Sequence, residues 1–294
     1  MTITDDKIKL PLRSVSQLNQ YTRCPLAYKL ARRDKVWARP AAWLPQGSAV
    51  HTVLEHAVLD DLPLEEAIEL FKEEYSKEVA RYTEITPNLD WWTWSGPYNG
   101  ERDLERRWEL GIEQVEKFYK FLEGGVKGHP NGQKIWTTPA LPCEKHTMVD
   151  HGCKDCKPPT PAVELYFMIE LDGIRIRGYI DAVVELPDGS LRVRDYKTGA
   201  TPGDDFQLAV YALAISMMYG IEKPETGDYY MAGKKGKVGK PTTPYDLTDW
   251  TRDKISEAFW EAEHGIEAEE FPALPEADKC MFCDVNYHCP EFNS

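Results

Sequence analysis

Long apolar runs are missing from this chain of 294 residues. No segment approaches the roughly 18 consecutive apolar residues that cross a bilayer, and the polar start, Met1 to Lys9, lacks the apolar stretch of a signal peptide. We therefore expect no membrane association and no secretion, and a cytoplasmic location. Repeats and low-complexity segments are missing too, and the content of 42% hydrophobic and 29% charged residues is typical of an ordered globular protein.

A phosphate-binding P-loop is also absent, because GxxxxGK followed by Ser or Thr does not occur. The chain itself is therefore not expected to be an NTP-driven motor. Basic residues are in deficit: 35 lysines and arginines face 49 acids, which leaves a net charge of −14. Taken alone, this charge argues against a protein that binds polyanions.

The charge is, however, unevenly distributed along the chain. Residues 251–294 hold eleven acids and three bases, which is more than half of the net negative charge. Residues 21–40 hold six bases and one acid, and residues 233–240 hold four lysines and no acid. These two stretches are either ordinary solvated faces or local basic surfaces.

Hydrophobic periodicity divides the chain into a helical first part and a mixed second part. Helices are predicted after the cap Ser14 and through Leu30, from Gly47-Ser48 onwards, over Leu64–Val79 and over Asp103–Leu122. Gly128–Pro161 is predicted to be an irregular insertion. Three β-rich runs and two further helices follow, at Ala162–Leu171, Ile174–Leu186, Leu191–Tyr196, Phe206–Tyr219 and Thr251–His264. This order of elements predicts an α/β fold.

The most informative chemical signal is Gly178-Tyr179-Ile180-Asp181 followed by Arg194-Asp195-Tyr196-Lys197-Thr198-Gly199. A hairpin centred on Asp188 pairs residues whose numbers sum to 376, which places Asp181 opposite Asp195 with their Cβ atoms roughly 5 Å apart. Two carboxylates at that separation repel unless a cation lies between them, and oxygen ligands suit Mg²⁺ or Mn²⁺. The alternative is an exposed face on which Lys197 forms a surface salt bridge, and a one-residue slip in register would separate the two carboxylates.

Two further polar features lie in apolar surroundings. Gln207 and Tyr211 are one helical turn apart on an otherwise apolar helix, so they either belong to a site or form a satisfied pair in the core. His51 lies in the first turn of the helix predicted to begin at Gly47. A lone histidine is more often structural, and its spacing to His56 does not match a zinc-protease helix.

In their order along the chain, these segments resemble the PD-(D/E)XK nuclease superfamily, in its RecB-like exonuclease branch. The resemblance rests on Gly47–His51, Glu164, Gly178–Asp181, Asp195–Gly199 and Gln207-x3-Tyr211, and it spans residues 47–211. It implies a restriction-endonuclease-like α/β core, with a mixed central sheet flanked by helices, that hydrolyses DNA.

The resemblance also implies roles for single residues. His51, Asp181 and Asp195, with the backbone carbonyl of Tyr196, would hold Mg²⁺ or Mn²⁺, and Lys197 would assist the attacking water. Gln207 and Tyr211 would support the site and contact DNA. Asp195 stands where many relatives have glutamate, and either residue supplies a carboxylate.

Seven cysteines in a chain expected to be cytosolic favour metal ligation over disulfides. Cys280, Cys283 and Cys289 form a C-x2-C-x5-C pattern, and Cys24 lies far upstream; four such thiols hold a 4Fe–4S cluster or Zn²⁺, or are free. The resemblance extends to the iron–sulfur subset of the superfamily, which includes CRISPR-associated and phage-borne exonucleases, and implies a cluster that staples the chain ends around the core.

A second group of metal-binding residue types lies in the insertion. Cys143-x2-His146 and Cys153-x2-Cys156, with His151 nearby, have a spacing that a small Zn²⁺ site accepts. The family resemblance does not cover this segment. Zinc at these residues is therefore a possibility that the sequence leaves open.

Together these features predict a metal-dependent exonuclease that acts on DNA ends or single strands in recombination, repair or phage- or CRISPR-type DNA processing. A processing endonuclease and a non-catalytic nucleic-acid-binding scaffold are the alternatives, and a helicase or recombination protein would be a separate partner. Three parts of one compact unit are expected: 1–160 (helical, with the first metal-ligand helix and the insertion), 161–264 (nuclease core) and 265–294 (cysteine segment, packed with Cys24).

Candidate DNA contacts come from the two basic stretches and from tryptophans. The basic candidates for phosphate contacts are Arg23, Lys29, Arg32, Arg33, Lys234, Lys235 and Lys237. The tryptophans that either stack unpaired bases or pack in the core are Trp37, Trp43, Trp91, Trp92 and Trp94.

Overall fold

The computed structural model describes residues 10–292 apart from 124, 127, 128, 131, 144, 150–152 and 155, and for residues 125, 126, 129 and 130 it describes the backbone alone. Within this part of the chain a mixed β-sheet lies between two groups of helices, which confirms the predicted central architecture. No helix among these residues is both long enough and apolar enough to span a membrane. His151 of the Cys- and His-rich insertion lies outside the described residues.

Helices and strands fall close to the periodic segments of the sequence. The helices are α1 (Val15–Arg23), α2 (Pro25–Tyr28), α3 (Trp43–Leu59), α4 (Leu64–Ile85), α5 (Gly100–Glu123), α6 (Asp205–Tyr219), α7 (Arg252–Glu267) and α8 (Ala277–Met281). The strands are β1 (Leu12–Arg13), β2 (Gly125–Val126), β3 (His129–Pro130), β4 (Lys134–Ile135), β5 (Val163–Leu171), β6 (Ile174–Glu185), β7 (Leu191–Lys197), β8 (Thr226–Met231), β9 (Lys240–Pro241) and β10 (Tyr245–Asp246).

An antiparallel meander of β5, β6 and β7 forms the centre of the sheet. The β6–β7 ladder runs from Glu185↔Leu191 to Ala182↔Arg194. Each of these pairs sums to 376, so the predicted hairpin register is confirmed. Strand β8 adds to β7 in parallel, and α6 supplies the crossover that a parallel pair requires.

The two faces of the sheet bury different helices. Apolar side chains of α1, α6 and α7 pack on one face, and those of α3, α4 and α5 pack on the other. Helix α6 is apolar on nearly every side and is buried accordingly. Its ends follow ordinary capping rules: the Asp204 side chain accepts a hydrogen bond from the Gln207 N–H, and Gly220 adopts the left-handed conformation that ends the helix.

Two predicted helix boundaries are wrong, and proline explains both. The first helix ends at Arg23 instead of running through Leu30, because Cys24 precedes Pro25 and has an extended backbone, after which a short helix and a π-helical turn continue the chain. Helix α3 begins at Trp43 instead of Gly47. Pro45 is compatible with this earlier start, because the nitrogens of a first helical turn have no acceptor within the helix and proline has no N–H to satisfy. His51 consequently lies in the third turn of α3, not the first.

A buried ion pair joins β7 to β8 next to Asp195. Both Arg194 and Asp228 are at most 1% exposed, and the guanidinium donates to the two carboxylate oxygens at 2.6 and 2.7 Å. Two-point pairing of this kind fixes the lateral position of the two strands. The pair therefore helps to hold the C-terminal end of β7, where Asp195 and Lys197 lie.

We expect Asp228→Asn to lower the free energy of unfolding by about 3 kcal/mol, because it leaves the buried guanidinium without its counter-charge. Urea unfolding followed by circular dichroism measures this loss. Glu69→Gln is the matched control, since Glu69 and Lys72 form an exposed ion pair on α4 that contributes less than about 1 kcal/mol. Equal midpoints for the two variants would show that the buried pair is not structural.

Candidate active site

The candidate site lies where β6 and β7 separate. Their ladder ends at Ala182↔Arg194, one position before Asp181 and Asp195. Beyond that point Asp181 Oδ2 accepts a hydrogen bond from the Tyr196 N–H at 2.6 Å, so the carboxylate replaces a ladder partner. Both carboxylates are buried, with 7% and 3% of each residue exposed.

Three potential ligands from three elements converge beside this gap. One ligand atom from each of His51, Glu164 and Asp181 lies within 4.8 Å of the other two. The Nδ1 atom of His51 is 3.6 Å from Asp181 Oδ2 and 3.9 Å from Glu164 Oε1. Helix α3 supplies the imidazole, and the neighbouring strands β5 and β6 supply the carboxylates.

Glu164 belongs to the resemblance but received no role from the sequence. It lies opposite Asp181, because the β5–β6 pairs on either side of it sum to 345. Its backbone is left-handed, with φ of 44°, which is strained for a residue with a side chain and unusual inside a β-strand; such strain often occurs at functional sites. This position could have been predicted from the turn at Asp172-Gly173, because a hairpin centred there pairs residue 164 with residue 181.

A hydrogen-bonded network holds Asp195 on the α6 side of the site. Asp195 Oδ2 is 2.8 Å from Lys197 Nζ, and Asp195 Oδ1 accepts a hydrogen bond from Gln207 Nε2 at 2.7 Å. The same amide donates to the Tyr211 hydroxyl at 2.8 Å. The Gln207–Tyr211 pair on the apolar helix is thus satisfied internally and also contacts the site. Lys197 Nζ lies 5.2 Å from the ring centre of Tyr229, and this cation–π contact helps to hold the charged lysine side chain in place.

Negative charge on the buried carboxylates of the site is unfavourable, and the pKa values of the site residues reflect this. Burial and the Asp195 carboxylate raise the pKa of Asp181 to about 7. Burial also raises the pKa of Asp195, although Lys197 opposes the shift. Burial disfavours the charged form of His51, but the carboxylates of Asp181, Glu164 and Asp195 outweigh it and raise the pKa of His51 to about 9. A bound cation would relieve this repulsion.

The donor set fits a hard divalent cation. Carboxylate oxygens with one imidazole suit Mg²⁺ or Mn²⁺ better than a soft metal. The structure brings the predicted ligands His51 and Asp181 together and adds Glu164, whereas Asp195 lies beside this trio and is held by Lys197 and Gln207. Asp195 and the carbonyl of Tyr196 stay predicted ligands.

The lysine loop 233–240 is tied to the edge of the site. Gln114 of α5 donates from Nε2 to the Thr198 carbonyl at 3.0 Å and to the Gly233 carbonyl at 2.9 Å. Gln114 was not predicted as a site residue, although a polar residue on the apolar face of α5 is a usable signal. Lys235 is paired with Glu109, whereas Lys234 and Lys237 present exposed side chains. Phosphate contact by these lysines stays a prediction.

Two of the four basic candidates in residues 21–40 have ion-pair partners within the chain. Lys29 pairs with Asp34 at 3.1 Å, and Arg33 pairs with Glu269 at 2.7 Å. Arg23 and Arg32 line the cavity that also contains the cysteines, instead of lying beside the carboxylates. The role of these four residues as DNA contacts is not supported by this placement, but it remains a prediction.

Four cysteines from the two ends of the chain line one cavity of about 460 Å³: Cys24, Cys280, Cys283 and Cys289. Arg23, Arg32 and Lys279 line the same cavity together with one acid, Asp284, so positive charge predominates around the thiols. The other three cysteines, Cys143, Cys153 and Cys156, converge with His146 at a separate place.

The tryptophans divide between the core and the surface. Trp92 is fully buried, and its indole N–H donates to the Thr86 carbonyl at 2.9 Å. Of the two interpretations, packing in the core therefore applies to Trp92, and base stacking does not. Trp37 donates to the Thr86 hydroxyl and packs against Trp91, which is 57% exposed. Base stacking therefore remains open for Trp91 but not for Trp92.

We expect Asp181→Asn to stabilise the metal-free protein at pH 8 by about 1–3 kcal/mol. The folded protein holds a proton on Asp181 up to about pH 7, whereas an unfolded aspartate loses it near pH 4. Stability of the wild type in EDTA should therefore fall as pH rises through this window, and the gain from Asn should shrink at pH 5.

Urea unfolding at pH 5 and pH 8 in EDTA measures both effects. Asp188→Asn serves as the control, because hydrogen bonds from Ser190 in the β6–β7 turn lower the pKa of Asp188 and its removal should not stabilise. A less stable Asp181→Asn at pH 8 would contradict the proposed repulsion.

Comparison with known proteins places this site in a family. Gene 69 protein of Mycobacterium phage L5 is 62% identical over 296 residues, which cover 99% of this chain and 100% of that protein. Gene 69 protein of Mycobacterium phage D29 is 60% identical over 291 residues, which cover 97% and 99%. A crystal structure from Eubacterium rectale, provisionally assigned as an exonuclease, aligns with 12% identity and a TM-score of 0.44 over 98% of this chain and 93% of that chain; a likeness this weak says nothing about activity.

The sequence profile of the PD-(D/E)XK nuclease superfamily matches residues 13–290, which includes His51, both aspartates, Lys197 and the terminal cysteines. The match covers nearly the whole chain. The chain belongs to the PD-(D/E)XK nuclease superfamily.

Proposed function

We propose that this protein is a metal-dependent DNA exonuclease that hydrolyses phosphodiester bonds at ends or in single strands. The observation that carries the proposal is the gap between β6 and β7, where Asp181 meets His51 and Glu164 on one side while Asp195 holds Lys197 on the other. A metal-binding trio next to a buried Asp–Lys pair supplies the parts that phosphodiester hydrolysis requires.

His51, Glu164, Asp181 and Asp195 would hold the divalent cation. When bound there, Mg²⁺ or Mn²⁺ neutralises charge on the scissile phosphate and acidifies a water. Lys197 orients the attacking water and stabilises negative charge that develops on the phosphate. Gln207 fixes Asp195 from the opposite side to Lys197, and Tyr211 fixes Gln207, so the helix presents a rigid support.

An exonuclease is favoured over an endonuclease by the histidine. The resemblance places a histidine at the position of His51 in the RecB-like exonuclease branch. Lys234 and Lys237, exposed on the loop that Gln114 ties to Thr198, are suited to contact phosphates next to the site. Because both curated relatives come from mycobacteriophages, processing of phage DNA in recombination or repair is the setting we propose.

We expect Lys197→Ala and Asp195→Asn each to reduce DNA degradation at least ~100-fold, because the first removes the positive charge that would face the reacting phosphate and the second removes a carboxylate that would hold the cation. The assay uses end-labelled linear single- and double-stranded DNA with Mg²⁺ or Mn²⁺. Lys72→Ala is the matched control, since Lys72 lies on α4 in an exposed pair with Glu69 and should leave the rate unchanged.

Closed circular DNA tests the mode of attack. An exonuclease leaves it intact, whereas cutting of circles at the same rate would establish the processing endonuclease. Metal-independent DNA binding without any products would establish the non-catalytic scaffold. Full activity of Lys197→Ala would refute the assignment of the site itself.

We also propose that Cys24, Cys280, Cys283 and Cys289 hold a 4Fe–4S cluster that staples the chain ends. The cavity that these four residues line is large enough for a multi-atom cluster. Four thiolates make the cluster complex anionic, and Arg23, Arg32 and Lys279, which outnumber the one acid Asp284 around the cavity, would offset that charge. Backbone hydrogen bonds already join the two ends there: Leu26 donates to the Pro272 carbonyl, and Arg39 donates to the Asp284 carbonyl.

Anaerobically purified protein should be brown and contain about four iron atoms per chain. Cys283→Ser should lose most of the iron and the visible absorption, and it should become sensitive to proteolysis at both ends of the chain because the staple is gone. Cys153→Ser, outside this cavity, should retain the iron. A colourless preparation free of iron, with zinc bound to Cys280 and Cys283 instead, would rule out the cluster.

A further inference from the structure

The segment between β4 and β5 forms a two-armed finger within the part of the chain that the structure describes. Leu141 and Lys157 exchange two backbone hydrogen bonds of 2.9 Å, and the Thr138 N–H donates to the Thr160 carbonyl at 2.9 Å. A further bond from the Thr160 N–H to the Thr138 hydroxyl, at 3.1 Å, closes the base of the finger. The described residues among 143–156, between the arms, form its tip.

Four ligand atoms meet in that tip. The Nδ1 atom of His146 is 3.2 Å from Cys143 Sγ and 3.3 Å from Cys156 Sγ. The Sγ atoms of Cys143 and Cys153 are 3.8 Å apart, and one ligand atom from each of the four residues lies within 4.8 Å of the rest. Tetrahedral Zn²⁺ with bonds of about 2.3 Å to sulfur and 2.0–2.1 Å to nitrogen separates two sulfurs by about 3.8 Å, and sulfur from nitrogen by about 3.5 Å.

Local backbone turns bring each pair of ligands together. The His146 N–H donates to the Cys143 carbonyl at 2.9 Å, and the Cys156 N–H donates to the Cys153 carbonyl at 3.3 Å. Each ligand pair with two intervening residues therefore forms one tight turn. Two such turns facing each other are the usual frame of a structural zinc site.

Other accounts of this cluster fit less well. A disulfide between Cys143 and Cys153 would need sulfurs about 2.05 Å apart, and their separation is 3.8 Å. A hydrophobic tip is excluded for the described residues, because Met148 is 79% exposed and the buried apolar side chain there is that of Cys156 itself. So short a segment cannot bury enough apolar surface to hold a shape, and small units of this kind usually need a metal.

We propose that the finger binds one structural Zn²⁺ through Cys143, His146, Cys153 and Cys156. The four protein ligands complete a tetrahedral site and leave no open position for catalysis. Three soft thiolates and an imidazole select zinc over the hard cation that the carboxylate site favours. The protein therefore carries a metal whose role is to shape the finger, independent of the nuclease centre.

Zinc and iron measured together by mass spectrometry test this proposal. Wild-type protein reconstituted with Zn²⁺ should hold about one zinc per chain. The zinc content of Cys153→Ser and of His146→Ala should each be at least fivefold lower. Three controls should keep the zinc: Met148→Ser in the exposed tip, His56→Ala on α3, and Cys280→Ser, which removes a proposed iron ligand. Zinc content unchanged in both Cys153→Ser and His146→Ala would overturn the proposal.

Cobalt keeps the test valid if a variant fails to fold. Wild-type protein loaded with Co²⁺ should show the intense visible bands of a tetrahedral thiolate site, and Met148→Ser should show the same bands. Weak octahedral bands, or no cobalt bound, would contradict the zinc site. Neither readout uses DNA, so failure of the zinc proposal and failure of the nuclease proposal are distinguishable.

Discussion

Three carboxylates from adjacent strands stand close together in this protein, two of them buried, and their repulsion is the constraint that the surrounding structure must withstand. Glu164, Asp181 and Asp195 each act on His51, whose pKa they raise to about 9 despite its burial. The separation of β6 from β7 beyond Ala182 makes room for these groups, and the Tyr196 N–H then pairs with a carboxylate instead of a ladder carbonyl. Apolar substitutions would remove the repulsion, so the arrangement costs stability, as expected of the cation-binding centre proposed above.

Rigid contacts on every side keep the charged groups in place. The Arg194–Asp228 pair fixes β7 against β8, and Gln207 holds Asp195 from the first turn of α6. Across the sheet, Gln114 joins the end of β7 to the lysine loop through two backbone carbonyls. The site is therefore supported by elements from both helical layers, which is why residues 100–123 matter to the geometry around residue 195.

The sequence predicted the centre of the fold because local rules agree there. Alternation along three strands, turn residues between them and a capped apolar helix all indicated the same register, and this register placed Asp181 next to Asp195. The prediction failed in two ways. At two helix boundaries the local effect of Pro25 and Pro45 was not taken into account. At the tryptophans a tertiary contact decides, because nothing local showed that Trp92 enters the core while Trp91 stays outside. The position of Glu164 opposite Asp181 could have been predicted in the same way, but only by also working out the register of the β5–β6 hairpin.

The net negative charge and the number of cysteines become informative only when the positions of these residues in the structure are known. The net charge of −14 includes the carboxylates of the site, whose repulsion a divalent cation would relieve, and the acidic segment after residue 250, part of which pairs with arginines of the first helical part through Glu263 and Glu269. The lysines next to the site belong to a different loop, so the acidic total is compatible with DNA at that edge. The cysteines separate likewise into a cavity joining the chain ends and a finger tip whose described residues form no apolar core. Both are peripheral segments, where bound metal can supply the stability that burial cannot.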